Sequence, residues 1–281
     1  MVENNIRDFR RIVWNFYKTN GRHDLPWRPP TLKLRRDKTL DAYRVLVSEI
    51  MLQQTQVERV IPFYKKFIKR FPTAKKLAAA PLSDVLKSWQ GLGYNRRAKM
   101  LQAAAKEAVG KYKSIFPAVY SELVELPGIG PYTARAIAAF SYNENVIFVE
   151  TNIRTAVIHH FFSRRSDVED TEVLEVLKKA LPKGKSREWY SALMDYGAHL
   201  KRSGISHNAR SSRYIKQSKF VGSLREARGA ILRELTKGFQ TEKRLVGLLG
   251  DDRVSQMRTA LTALVAEKFV VKKRSSFALA G

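Results

Sequence analysis

Cysteine is absent from this chain of 281 residues. Because thiolates form disulfides, zinc thiolate sites and iron–sulfur clusters, the sequence excludes all three. Histidine is scarce too, and the spacing of its five copies does not match a metal-binding motif: His23, His159, His160, His199 and His207. Any chemistry must therefore rest on carboxylates, hydroxyls, amides and water, and we expect no required cofactor.

Acidic residues are half as numerous as basic ones. The chain has 26 Asp and Glu and 52 Lys and Arg, which gives a net charge of +26. Such a surplus favours polyanions through counterion release, so nucleic acid is the expected partner. An anionic membrane surface is the competing partner, but the sequence has no window of about 18 uncharged apolar residues. Its first residues, MVENN, also lack the apolar core of a signal peptide. We therefore expect a cytoplasmic, nucleoid-associated protein that binds no membrane.

Alternating, strand-like patterns are scarce over residues 1–200. Apolar residues recur there at helical spacing, as at Tyr43, Leu46, Val47 and Ile50, and Pro or Gly breaks divide the region into about ten helices. We therefore expect a mainly α-helical domain over 1–200. Residues 201–222 change character, because 201–220 contain six Lys or Arg and no acid. This basic connecting segment either contacts phosphates or forms a solvated tether.

Residues 223–281 show a third pattern. Helical stretches near 224–237, 240–249 and 253–267 precede two short strand-like runs, 269–272 and 276–279, a layout typical of a winged helix. A helical cap or a dimer module is the alternative. In a winged helix, the third helix would read the major groove and the wing would lie near phosphates; the residues concerned are Ser255, Gln256, Arg258 and Thr259, then Lys272, Lys273 and Arg274.

The run LPGIGPYTARAI, Leu126 to Ile137, predicts a helix-hairpin-helix motif over residues 124–137. Its glycines lack Cβ atoms and allow a tight turn with close approach of a phosphate, and the helix beginning at Pro131 would point unpaired N–H groups outward. An isolated Gly-x-Gly is, however, often an ordinary helical turn. The expected DNA contacts are Gly128, Gly130 and Thr133. Carbonyls on the other side could hold one monovalent cation, K⁺ or Na⁺, with Val124, Leu126 and Ile129 as ligands.

Further motifs surround this hairpin in a specific order: LPWR at 25–28, VSEIMLQQTQV at 47–57, WQGLGY at 89–94 and FVETNIR at 148–154. In order and spacing they resemble the MutY-like, A/G-specific adenine DNA glycosylases of the helix-hairpin-helix (HhH-GPD) superfamily, with endonuclease III a more distant relative. The resemblance covers about residues 20 to 200. It implies a mainly α, two-lobed helical HhH-GPD glycosylase fold, here followed by a small winged-helix (α+β) domain.

Two carboxylates are the expected catalytic pair. Glu49 lies at the border of an apolar helical stripe, where partial desolvation would raise its pKa and let it act as a general acid. The resemblance implies that Glu49 protonates the purine and then helps to activate water. Cleavage builds positive charge on the sugar, so an ionised carboxylate should lie nearby. The family carries Asp for this purpose, and here the aligned residue is Glu150, one methylene longer; Asn152 either orients Glu150 or caps a helix.

Tyr132 occupies the hairpin position at which relatives that also cut the DNA backbone carry a nucleophilic lysine. A phenol, with a pKa of about 10, cannot form their Schiff base, so we expect a monofunctional enzyme without AP-lyase activity. Tyr132 could instead bond to Glu49, to the flipped base or to water, and simple helix packing is the alternative.

Extruding a base leaves a gap in the duplex that the protein must fill. The resemblance implies that Gln54 and Tyr94 enter the stack, with Thr55 and Leu92 lining the opposite base, although aromatic core packing is an alternative for Tyr94. The family's cysteine loop is replaced here by the basic segment, whose phosphate contacts would come from Lys201, Arg202, Arg210, Arg213 and Lys216.

The expected function is removal of adenine opposite 8-oxoguanine or guanine by a monomer acting on double-stranded DNA that contains a mismatch or lesion. The family's usual C-terminal domain, which helps to recognise 8-oxoguanine, is not expected here, and the predicted winged helix stands in its place. The identity of the excised base is therefore open. A glycosylase of the same fold acting on thymine, uracil or another altered base is one alternative, and a non-catalytic winged-helix DNA-binding protein is another.

Overall fold

The computed structural model describes residues 2–30, 32–37, 39–205 and 219–281, with the backbone alone for residues 2–4. The described residues group into two compact units. The first unit lies within residues 1–49, 116–125 and 129–216, and the second lies within residues 50–115, 126–128 and 217–281.

Helices dominate the described residues, as predicted. In chain order they are α1 (Val2–Asn20), α2 (Ala42–Leu52), α3 (Val57–Arg70), α4 (Ala74–Ala79), α5 (Leu82–Trp89), α6 (Arg96–Lys111), α7 (Tyr120–Glu125), α8 (Pro131–Tyr142), α9 (Thr151–Phe161), α10 (Asp170–Ala180), α11 (Ser186–Arg202), α12 (Leu224–Leu235), α13 (Glu242–Val246) and α14 (Val254–Ala266). Three short strands follow α12: β1 (Gln240–Thr241), β2 (Val270–Lys273) and β3 (Ser276–Leu279). Among the helices described, none is long and apolar enough to cross a membrane.

The first unit is built around α11, which packs against α1, α8 and α9. Its core includes the buried rings of Phe9, Trp189 and Tyr190. Phe148 stacks on Tyr190 with ring centroids 4.0 Å apart, and burial of one such ring contributes roughly 2 kcal/mol. Since Phe148 lies two residues before Glu150, this stacking anchors the chain just ahead of α9.

The hairpin predicted at 124–137 is formed by α7 and α8, which pack together and are joined by the turn at 126–130. Gly128 takes a left-handed φ of +76°, and a Cβ there would lie 2.5 Å from Met100 Cβ, so both conformation and space require glycine. Helix α8 begins with Pro131 at its first position and ends at Tyr142, because Asn143 after it takes a left-handed φ of 60°.

Helices α3 to α6 form much of the second unit, with α4 and α5 packed on α6. Phe67, Trp89 and Leu101 are fully buried there. A buried amide, that of Gln102, donates to the carbonyls of Leu77 at 3.2 Å and Ala80 at 2.6 Å. These bonds satisfy the Ala80 carbonyl just after α4 and add a second donor to the Leu77 carbonyl, which also accepts from the Ala80 N–H.

The C-terminal residues of the second unit contain three helices and an antiparallel sheet of order β1-β3-β2. Phe277 pairs with Lys272 on one side and with Gln240 on the other. This agrees with the predicted layout except over 240–249, where helix was expected throughout. Gln240 and Thr241 instead form β1 on the edge of β3, and the Thr241 side chain then caps the short α13.

Candidate active site

Glu49 lies on α2 in the first unit with only 7% of its surface exposed. Its Oε2 accepts a hydrogen bond from the Tyr132 hydroxyl at 3.0 Å. Burial raises the pKa of Glu49 to about 7, and the charge of Glu150 adds to this rise, while the Tyr132 hydrogen bond and Arg28 oppose it. A carboxyl with this pKa can both give and take a proton near neutrality, which is the property required of a general acid.

Tyr132 stands in the first turn of α8, and its ring packs edge-on against Phe148 with centroids 5.7 Å apart. Burial raises its pKa well above the ordinary value, and the charges of Glu49 and Glu150 raise it further. The phenol is therefore a neutral donor at any physiological pH. Of the hydrogen-bond partners predicted for Tyr132, the structure shows Glu49.

Glu150 precedes α9 and caps it. Its Oε1 accepts from the backbone N–H of Asn152 at 2.7 Å and of Ile153 at 3.0 Å. Burial raises the pKa of Glu150, but these two backbone bonds and the charges of Lys201 and Arg154 act in the opposite direction. Because Glu49 has a neutral phenol as its hydrogen-bond donor whereas Glu150 lies at a helix N-terminus, Glu49 is the better proton carrier and Glu150 the better anion.

A buried ion pair links the LPWR motif to Asp195 of α11. Asp195, which is 2% exposed, accepts from Arg28 Nη1 at 2.8 Å across 167 positions of sequence. The backbone N–H of Arg22 donates to the same carboxylate at 2.7 Å. Desolvation would raise the pKa of Asp195, but the two arginines outweigh it and hold that pKa below its usual range. This buried ion pair joins the LPWR segment to α11.

Both residues predicted to enter the DNA stack lie in the second unit with left-handed backbones, Gln54 at φ 54° and Tyr94 at φ 48°. Non-glycine residues rarely adopt this conformation, and strained positions of this kind concentrate at functional sites. Gln54 is exposed and Tyr94 partly exposed. The structure therefore presents both side chains on loops held in unusual conformations.

One arginine that the sequence patterns did not single out holds these two loops together. The Arg97 guanidinium donates to the carbonyls of Ile50 at 2.9 Å and Gly93 at 3.2 Å, and to Thr55 Oγ1 at 3.3 Å. Burial lowers its pKa to about 10. Its carbon Cζ also lies 5.5 Å from the Tyr94 ring centroid, so a single side chain organises both candidate DNA-contacting loops.

A cavity of about 730 Å³ opens beside these loops within the second unit. Gln54 and Tyr94 line it together with Arg225 and Arg228 of α12. The Arg225 guanidinium lies 5.1 Å from the Tyr94 ring centroid and donates to the Tyr94 hydroxyl. Arg228 in turn forms a two-point ion pair with Glu267, at 2.7 and 2.8 Å. The sequence does not predict Arg225 and Arg228 as DNA contacts. The signal that could have indicated them is their position in the first turns of α12.

The remaining predicted contacts differ in their exposure. Leu92 and Thr133 are buried, whereas Thr55 is partly buried and Gly128, Gly130 and Arg202 are exposed. Arg210, Arg213 and Lys216 lie outside the described residues, and Lys201 faces Asn152. On the winged-helix part, Gln256 is partly buried, and the exposed residues are Ser255, Arg258, Thr259, Lys272, Lys273 and Arg274.

No group of three or more His, Asp or Glu side chains that could hold a metal ion occurs in the part of the chain that the structure describes. The iron–sulfur cluster of the resembling family does not fit this chain, because the sequence has no cysteine to ligate it. Cation binding by the carbonyls of Val124, Leu126 and Ile129 stays a prediction.

Known proteins resemble this chain in sequence and in fold. Residues 47–183 match the HhH-GPD superfamily of base excision DNA repair proteins. The adenine DNA glycosylase of Mycolicibacterium smegmatis is 36% identical over 282 residues, covering 93% of both chains. That of Buchnera aphidicola subsp. Acyrthosiphon pisum is 37% identical over 68% of this chain, which spans 53% of that relative.

A thermostable thymine-DNA glycosylase of known structure has the same fold, with a TM-score of 0.60 and 24% identity over 73% of this chain and 91% of its own. The likeness confirms the predicted fold class for the helical part, and the small antiparallel sheet agrees with the predicted α+β addition. The chain belongs to the HhH-GPD superfamily of base excision DNA repair proteins and, within it, to the family of the adenine DNA glycosylases.

Proposed function

We propose that the protein is a monofunctional DNA glycosylase that hydrolyses the N-glycosidic bond of adenine mispaired with 8-oxoguanine or guanine. The observation that carries this proposal is the pair of carboxyls in the first unit: Glu49 is buried with a pKa of about 7, and Glu150 is held by two backbone N–H groups. The names of the relatives at 36% and 37% identity support adenine as the base.

In the proposed reaction, protonated Glu49 gives its proton to the adenine ring, which makes the base a better leaving group. The bond between C1′ and the base nitrogen then breaks, its electron pair goes to the base, and the sugar becomes cationic. Ionised Glu150 stabilises that cation through its charge. A water molecule adds to C1′ and loses a proton to Glu49, which returns the enzyme to its starting state and leaves an abasic site.

Strand cleavage is not part of the proposal. The hairpin position used for a Schiff base by bifunctional relatives carries Tyr132, whose hydroxyl is bonded to Glu49. A phenol cannot form an imine with the sugar aldehyde. Tyr132 instead donates to the Glu49 carboxylate after proton transfer and so adjusts the strength of the acid.

The proposed partner is double-stranded DNA with a mismatch or lesion, bound by a monomer in the cytoplasm as part of the nucleoid. The net charge of +26 favours the phosphate backbone. The left-handed loops carrying Gln54 and Tyr94 support insertion into the base stack, as base flipping requires. Thr55 and the exposed hairpin glycines are further proposed DNA contacts.

Duplex oligonucleotides with one target base test this proposal. Purified protein should release adenine opposite 8-oxoguanine or guanine, and strand breaks should appear only after alkali. Glu49→Gln should abolish turnover while keeping DNA affinity, and Glu175→Gln, which removes an exposed carboxyl on α10, should behave as wild type.

Each other outcome contradicts a separate part of the proposal. Breaks without alkali would overturn the monofunctional assignment, and release of thymine or uracil in place of adenine would overturn the substrate. Binding without release of any base would leave a non-catalytic DNA-binding protein.

A further inference from the structure

Lys201, in the last turn of α11, points into the candidate active site. Its Nζ donates to Asn152 Oδ1 at 3.0 Å, and Asn152 Nδ2 lies 3.4 Å from Glu150 Oε2. Because an ammonium group has only donors, it requires the carbonyl oxygen of the Asn152 amide to face it. The amide nitrogen is then turned toward the Glu150 carboxylate, so the three side chains form a directed chain of hydrogen bonds.

The helix packing holds Lys201 in this place. A Cβ on Gly197 would lie 2.0 Å from the backbone oxygen of Asn152, so the backbone of α11 touches the start of α9 directly. Residues four apart share a helix face, and Lys201 therefore follows Gly197 along the same contact. A partly buried lysine in this position differs from the freely mobile surface cation typical of a phosphate contact.

The other charged and titratable groups around Glu150 are also defined in the described structure. They are Glu49 on α2, Tyr132 on α8 and Arg154 on α9. Arg154 forms a two-point ion pair with Asp170 at 2.7 and 2.9 Å. Its positive charge is therefore shared between Asp170 and Glu150. Lys201 is the cation joined to Glu150 through a side-chain hydrogen-bond chain.

We propose that Lys201 is a positioning residue for base excision: its ammonium group orients Asn152 and keeps Glu150 ionised and in place opposite the sugar cation. This inference rests on the proposed glycosylase function and deepens it. It assigns Lys201 to the active site, whereas the sequence predicted a phosphate contact, and the two roles have opposite experimental signatures.

The sign of the pH effect follows from the roles of the two carboxyls. Activity needs Glu150 ionised and Glu49 protonated, so the acid limb of the pH–rate profile reports Glu150 and the alkaline limb reports Glu49. Removing the Lys201 charge raises the pKa of Glu150, since that charge lowers it in the wild type. The acid limb should therefore move to higher pH while the alkaline limb stays in place.

The experiment compares Lys201→Met and Lys201→Arg with wild type in single-turnover assays on a duplex with adenine opposite 8-oxoguanine, over about pH 5 to 9. We expect Lys201→Met to move the acid limb up by about one unit and to lower the rate there about tenfold. Lys201→Arg should retain most of the rate, and Lys178→Met, an exposed lysine on α10, should match wild type. Glu150→Gln should cancel the effect of Lys201→Met, because the two act together.

Other results would overturn the proposal. A uniform loss of rate with an unmoved acid limb would mean that Lys201 only supports the fold. An unchanged rate at saturation, with weaker binding and a salt slope smaller by about 1, would assign Lys201 to a phosphate.

A second readout does not depend on turnover. The ¹³C carboxyl signal of Glu150 should titrate at higher pH in Lys201→Met than in wild type. Equal titration midpoints would refute the role of Lys201 even if no duplex were a substrate, whereas a shifted midpoint in a protein inactive on every duplex would refute the glycosylase function alone.

Discussion

The hydroxyl of Tyr132 can be removed without disturbing its ring. The Tyr132→Phe variant deletes the donor that lies 3.0 Å from Glu49 Oε2, while the edge-on contact with Phe148 remains. That donor stabilises the carboxylate more than the neutral acid, so it holds the pKa of Glu49 down. Its loss should raise this pKa above about 7, and activity should persist to higher pH.

The size of the shift follows from hydrogen-bond energies. A hydrogen bond to a charged group contributes about 1.5 to 3 kcal/mol, and the neutral acid retains part of it. One pKa unit corresponds to about 1.4 kcal/mol. We therefore expect the alkaline limb of the pH–rate profile to move to higher pH by about one unit. This shift does not depend on any change in the maximal rate.

Single-turnover rates on a duplex with adenine opposite 8-oxoguanine, measured across pH with alkali to reveal abasic sites, give this limb directly. Tyr142→Phe is the matched control, because it removes a phenol that donates to the backbone carbonyl of Phe116 rather than to a carboxyl. An alkaline limb that stays in place or moves down in Tyr132→Phe, with the control unchanged, would refute Glu49 as the acid whose pKa the phenol adjusts.

Three other perturbations address stability and DNA binding. Asp195→Ala leaves Arg28 buried without its partner, so the free energy of unfolding in urea should fall by about 3 to 5 kcal/mol. The pKa of Glu49 is about 7 in the folded protein and 4.5 ordinarily. Because the folded state holds this proton more tightly, the wild type loses stability as the pH rises from 4.5 to about 7. Above about pH 7, Glu49→Gln should therefore be more stable than the wild type by about 3 kcal/mol. Equal stabilities at that pH would contradict the burial of the Glu49 carboxylate. Arg225→Ala removes the guanidinium that lies over the Tyr94 ring. Affinity for a mispaired duplex, measured by fluorescence titration, should fall about fivefold, or about 1 kcal/mol. The single-turnover rate should not change.

Local features of the candidate site could be predicted from sequence. The apolar stripe around Glu49 indicates a desolvated carboxyl, and the hairpin run indicates a turn that needs glycine at 128. Both depend on residues close together in the chain, whose geometry follows from helical periodicity and turn chemistry. The winged-helix pattern is predictable for the same reason, apart from β1, whose two residues acquire strand geometry only by pairing with β3.

Contacts between distant segments could not be predicted in this way. Asp195 and Arg28 are separated by 167 positions, and Lys201 and Asn152 by 49. Arg97 is one of 52 basic residues, and nothing in its neighbourhood distinguishes it from those that stay in solvent. Such pairings depend on how helices pack, which periodicity specifies only as a buried face and not as a set of partners.

The attachment of two loops to Arg97 has a consequence for how DNA is engaged. A flexible loop loses about 1 to 2 kcal/mol of backbone entropy per residue when it becomes ordered on a ligand. The hydrogen bonds from Arg97 to Thr55 Oγ1 and to the Gly93 carbonyl impose that order in the free protein, before any duplex arrives. Gln54 and Tyr94 are thus preorganised as one rigid unit, and the binding energy released on insertion is available for distorting the DNA rather than the protein.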